Sequence, residues 1–345
     1  VANPRFGYIY PFETKQVIAL FRERNSLQVP ALIAATLLLK MSFVSQPWPE
    51  GGYPNPGGLL PLLLNDYIVP GVRTPWLLVV GQLVMLGSAI YGNLVVSNRR
   101  MFAQNHLLVA FCMVLLSTLF AGTNHSLTGI LLLPFVIGFF SNITQLYQQL
   151  KPQKIVVNAG LLAGTCALLY HPFFFVLPVA FIGLSIMRPF RAAEWVLMLV
   201  ALLCPFYFVF SIDFLLDRWQ PQRHLPSFAG LSRAWNPALF WSLALSTFGV
   251  WFALAFFRWI RLTRRMVIQG RKNWYVLLFL LLFMLPGVWV PDGNAFSMLT
   301  LATFPASAFL ANAFAGEQKS VGQILFFWLL MAAIIVSAWV WLHYT

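Results

Sequence analysis

Acidic residues are scarce in this chain. There are nine Asp and Glu in 345 residues against 22 Lys and Arg, and charged side chains make up only 9% of the total. A soluble domain carries roughly a quarter charged residues, so the composition excludes a soluble globule and a disordered charged tail. Cysteine is almost absent. Cys112, Cys166 and Cys204 all fall in apolar runs and form no CxxC pair, so neither a disulfide framework nor a zinc site is expected. The sequence also lacks an HExxH motif, a His pair spaced i, i+4, a Cys–His cluster, a glycine-rich phosphate loop and a GxSxG elbow. No metal centre, haem or other cofactor is therefore expected. The first residues do not follow the basic, apolar, small-residue order of a cleaved signal peptide.

What the sequence has in abundance is apolar surface, with 60% hydrophobic and 16% aromatic residues. A bilayer core of ~30 Å needs about 20 apolar residues of helix. Runs of that kind lie at 28–46, 75–96, 105–122, 125–147, 155–169, 171–187, 193–214, 237–259, 274–291, 295–313 and 322–343. Residues 155–187 are read as two spans because one helix of that length would reach about 50 Å. Tyr170-His171-Pro172 supplies the break, since a residue before proline resists helical geometry.

Charge tests the count. With eleven spans and a cytoplasmic N-terminus, seventeen of the 22 basic residues fall on the inner side and four on the outer, with Lys40 inside the first span. Merging 155–187 would move the six basic residues of 258–272 to the wrong face. The positive-inside bias thus predicts an all-α polytopic membrane helix bundle of about eleven transmembrane helices, N-terminus cytoplasmic and C-terminus periplasmic. The net charge of +13 then reports membrane orientation and does not call for a nucleic-acid partner.

A single membrane domain accounts for residues 1–345. Within the cytoplasmic segment 1–27, residues 12–24 read either as an interfacial helix or as a plain basic cap for the first span. Two outer loops are larger than the rest. Residues 47–74 hold eleven Gly or Pro in 28 positions around an apolar stretch from Leu59 to Val69, which predicts a turn-rich segment and a short interfacial helix. Residues 215–236 form the second, rich in Arg, Trp, Pro and Gln.

The candidate chemistry lies on the outer side. Glu50 follows the first span in Trp48-Pro49-Glu50-Gly51, and Asp66 sits in Leu64-Asn65-Asp66-Tyr67. A carboxylate held against apolar surface has its charged form disfavoured, which suits a general base; a solvated loop acid or a helix cap is the plainer alternative. All four outer cations are arginines: Arg73, Arg218, Arg223 and Arg233. A guanidinium grips a phosphate through two parallel hydrogen bonds, which lysine cannot do. Salt bridges to Asp213 and Asp217 with belt anchoring by Trp219 and Trp235 are the alternative. His125 and His171, at the outer ends of tight hairpins, are candidates for the same vestibule. Within the spans, Gly160-x-x-x-Gly164 predicts a close helix seam in the fifth, and Lys40, about a turn and a half from the outer end of the first, can snorkel outward or pair with an outer acid.

Two resemblances follow from these residues. Leu20-Phe21-Arg22-x-Arg24-Asn25-x-Leu27, together with Arg188-Pro189-Phe190-Arg191-x-x-Glu194-Trp195, resembles an uncharacterised, Bacteroidetes-type family of multi-pass membrane proteins with a domain of unknown function. In that element Glu194 is expected to pair with Arg188 or Arg191. The layout of a first span, a long outer loop with an early acid, an interfacial helix and then paired short spans is similar to the C-type membrane glycosyltransferases. That resemblance implies a bacterial inner-membrane enzyme taking sugar from a polyprenyl-phosphate lipid, with Glu50 as base and Asp66 as second candidate. Arg218, Arg223 and Arg233 would then be the phosphate contacts. The chain departs from the pattern in having no acid pair after the first span and no soluble outer domain. The leading expectation is an outer-face transferase. A non-catalytic scaffold using its 33 Phe and 13 Trp to pack against membrane-protein partners comes next, and a transporter third. Membrane lipids are expected partners in all three.

Overall fold

The computed structural model describes residues 21, 27–44, 57–64, 74–102, 106–120, 126–217, 239–263, 266–288, 295–314 and 327–336, and the described residues contain helices and turns but no strand. The helices, in chain order, begin with α1 (Gln28–Val44), the short α2 (Leu59–Leu63), α3 (Thr74–Asn98), α4 (Leu108–Leu119), α5 (Leu127–Gln145) and α6 (Gln153–Leu169). A 3-10 turn (His171–Val176) leads into α7 (Pro178–Met187), followed by α8 (Ala192–Leu215), α9 (Leu239–Thr263), α10 (Ile268–Val288) and α11 (Ala295–Phe314). The last described helix is α12 (Phe327–Val336).

A helix falls within every predicted apolar stretch, but among the described residues length and composition mark only four helices as able to cross a membrane. These are Trp76–Asn98, Leu127–Gln145, Ala192–Leu215 and Ile268–Val288. The expected count of eleven is therefore not met on that criterion. α4 shows the physical reason. Its 12 residues span only about 18 Å, well short of a ~30 Å core. All of them are buried, so α4 is a central pillar enclosed by protein.

The break predicted at Tyr170 is present. Tyr170 adopts extended geometry (φ −146°, ψ 106°), and the chain restarts as a 3-10 turn with Pro172 in its first positions. Pro178 opens α7 in the same way, where the missing N–H costs nothing. The glycine seam is present too. Gly160 and Gly164 of α6 lie against the backbone of Met198 and Leu202 in α8, and a side chain at either position would push the two helices apart. The aromatic residues expected to serve partners are in good part consumed internally. A line of rings runs Phe120–Phe248–Phe252–Phe309–Trp274–Phe102–His106, with successive centroids 5.8, 5.8, 5.6, 5.0, 5.6 and 4.6 Å apart. It ties the α4–α5 region and the α3–α4 turn to α9, α10 and α11. His106 is buried at the end of this line.

Contacts between turns define the two ends of the bundle. At one end Arg99 Nη2 donates to the Ser141 carbonyl at 3.2 Å and Asn273 Nδ2 donates to the Arg99 carbonyl at 3.2 Å. Trp274 Nε1 donates to the Met101 carbonyl at 3.2 Å. Arg188 Nη1 donates to the Gln149 carbonyl at 2.6 Å, and Lys272 Nζ lies 5.1 Å from the Tyr147 ring centroid. The ends of α3, α5, α7 and α9 and the starts of α6, α8 and α10 therefore lie together. Among the described residues every Lys and Arg except Lys40 belongs to this end. Lys40 does not snorkel; it is buried within α1. Of residues 12–24 only Phe21 is described. It stacks on Phe111 at 4.2 Å, and its carbonyl accepts from Leu107 N–H and Gln28 Nε2.

Candidate functional site

The opposite end is built from the starts of α5 and α11, the α6-to-3-10 junction and the loop segment carrying α2. Ser126, just before α5, and Ser297, in the first turn of α11, share a hydrogen bond of 2.7 Å between their hydroxyls. The Tyr170 hydroxyl joins them through a side-chain hydrogen bond to Ser297. All three residues are buried. Burial pushes the Tyr170 phenol above its ordinary range, with the Ser297 bond partly offsetting that rise, so the group stays protonated and able to donate. Gly129 makes this approach possible, because a Cβ there would run into the Ser297 backbone and Thr300.

His171 sits directly beside this cluster. Its backbone N–H donates to the Gly57 carbonyl at 3.3 Å, and its ring is buried with Nδ1 against the face of Gly57 where a Cβ would stand. Gly57 (φ 68°) and Gly58 (φ 118°) both take left-handed geometry, which glycine adopts without penalty. Gly58 is seated on the Leu169 carbonyl and the Tyr170 backbone. Gly57 and Gly58 thus let this part of the first large loop pack onto the Tyr170–His171 break. α2 follows at once and realises the short helix predicted there, at five residues. Leu64 beyond it packs with Leu77, Leu78 and Leu127, anchoring the loop to α3 and α5.

Of the sequence-predicted site residues, His171 is the one that the described residues include, and it lies at the end opposite the described lysines and arginines other than Lys40. Glu50, Asp66, Arg73, His125, Arg218, Arg223 and Arg233 lie outside the described residues. Along the chain Glu50 precedes Gly57, Asp66 follows Leu64, and His125 immediately precedes Ser126. Tyr170, Ser126, Ser297, Gly57 and Gly58 are site residues that sequence reasoning missed. The serines carry no motif, and only the Gly-Gly pair in a proline-rich loop offered a signal. No group of three His, Cys, Asp or Glu able to hold a metal occurs among the described residues. No protein family, characterised protein or solved structure gives a significant match to this chain.

Proposed function

We propose that the chain is a polytopic inner-membrane protein crossing the bilayer eleven times, with its basic end on the cytoplasmic side, and that its opposite end is an outer-face transferase site for a polyprenyl-phosphate-linked substrate. The observation that carries the proposal is the docking of Gly57 and Gly58 on Tyr170 and His171. It supports the reading by seating Gly57 and Gly58, which lie in sequence between the two acids, at the bundle end remote from the described arginines and lysines, the end at which a lipid-linked substrate in the outer leaflet would arrive.

In this reading Glu50 removes the proton from an acceptor hydroxyl as that oxygen bonds to the anomeric carbon. The carbon–oxygen bond to the polyprenyl phosphate breaks, and the electron pair leaves on the phosphate. Arg218, Arg223, Arg233 and Arg73 supply the bidentate contacts that stabilise that leaving charge. Asp66 is the alternative base, and His125 and His171 line the approach. Glu50→Gln should abolish transfer to envelope glycans or lipids at unchanged protein level. An unaltered glycoconjugate profile in that strain would remove Glu50 from the mechanism.

A non-catalytic scaffold is the second reading, supported by the outward face of α8. Val196, Val200, Tyr207, Phe208 and Phe214 are exposed there along most of the helix, a surface suited to a neighbouring membrane protein as well as to lipid. Purification in mild detergent separates the two: stoichiometric partners favour the scaffold, and a monodisperse single species favours the enzyme.

A further inference from the structure

Three turns at the basic end share one feature. The turn between α5 and α6 exposes Leu150 (96%) beside Lys151, with Lys154 the second residue of α6. The turn between α7 and α8 exposes Phe190 (71%) between Arg188 and Arg191. The turn between α9 and α10 exposes Val267 (79%) and Ile268 ahead of Arg271. The turns are neighbours, because Arg188 donates to Gln149 and Lys272 covers Tyr147. Glu194 is the acid described at this end, and it is already engaged, with Oε2 2.9 Å from Arg188 Nε and Oε1 3.9 Å from Arg191 Nη1. Lys151, Lys154 and Arg191 remain exposed, with no other carboxylate among the described residues of this end to neutralise them.

Large apolar side chains held at turn tips beside exposed cations that outnumber the described carboxylates match one environment. The cations meet phosphates at the headgroup level while the apolar tips enter the acyl boundary just beneath. Phe190 is held in place for this by Trp195, 5.2 Å away, which in turn packs on Phe181 at 5.6 Å. We propose that the basic end is a binding surface for anionic phospholipids, with Lys151, Lys154 and Arg191 as phosphate contacts and Leu150, Phe190 and Val267 as acyl-level anchors. This rests on the membrane reading above and adds a preference for one headgroup charge.

The test is thermal unfolding of the full chain in a neutral detergent with added phosphatidylglycerol, phosphatidylcholine of the same acyl chains, or inorganic phosphate. Phosphatidylglycerol alone should raise the melting temperature by several degrees. The combined variant Lys151→Gln, Lys154→Gln, Arg191→Gln should lose most of that rise. Equal stabilisation by phosphatidylcholine, an equal effect of inorganic phosphate, or a full response in the triple variant would overturn the proposal. Should the triple variant not fold, the wild-type response at about 0.5 M salt decides, since screening at that strength should collapse it; a persistent response counts against the site. None of these readouts depends on sidedness, so a failed topology experiment and a failed lipid experiment are distinguishable.

Discussion

At the scale of single residues, Arg188 has the most demanding environment at the basic end. Its guanidinium is 8% exposed, approaches an equally buried Glu194 carboxylate at 2.9 Å, and donates to the Gln149 carbonyl from Nη1. Removing one partner of a buried pair strands the other, at a cost of about 3–5 kcal/mol. Glu194→Gln should therefore lower the detergent melting temperature sharply. Arg191→Gln, at a 64% exposed side chain, should change it little. Similar effects for the two would mean that burial does not govern the pair. Gly57 makes the opposite demand, for absence. Gly57→Ala would force a side chain into a left-handed position against His171, so it should lower the detergent melting temperature. Partial recovery of the melting temperature in the double variant Gly57→Ala, His171→Ala would show that the clash is with that ring.

At the scale of elements, the α6–α8 seam and the Tyr170 break carry most of the argument. In lipid, helices associate through close packing more than through hydrophobic burial, and here Gly160 and Gly164 bring two backbones together. Gly164→Leu overpacks this contact and should cost about 1–3 kcal/mol, visible as a lower melting temperature. A fully stable variant would mean that the seam adapts. The glycine pair was legible from its spacing, and the break at Tyr170 from Pro172. The hydrogen bond from the His171 N–H to the Gly57 carbonyl was not legible, because the two residues are more than a hundred positions apart in sequence. α4 was readable as apolar, but its enclosure depends on the helices around it.

At the scale of the whole molecule, segregation of charge between two ends is the organising fact. Arg99, Arg100, Lys151, Lys154, Arg188, Arg191, Arg258, Arg261, Arg271 and Lys272 share one end, while Asp213 and Asp217 close α8 at the other. The proposed threading predicts that an impermeant thiol reagent labels Asp217→Cys but not Leu150→Cys in cells with an opened outer membrane and an intact inner one. Both sites are exposed, so labelling of both, or of Leu150→Cys alone, would reject the orientation.

Composition, run length and the placement of basic residues by themselves determined that the chain is helical and apolar, where its helices fall, and which turns share an end, because those properties depend on local hydropathy and on charge summed over a segment. Only the tertiary structure decided that Lys40 is buried, that Glu194 is taken by Arg188, and that Tyr170, Ser126 and Ser297 meet beneath the glycine loop. Each of these depends on which helix faces flank a side chain, and that is fixed by packing between segments far apart in the chain.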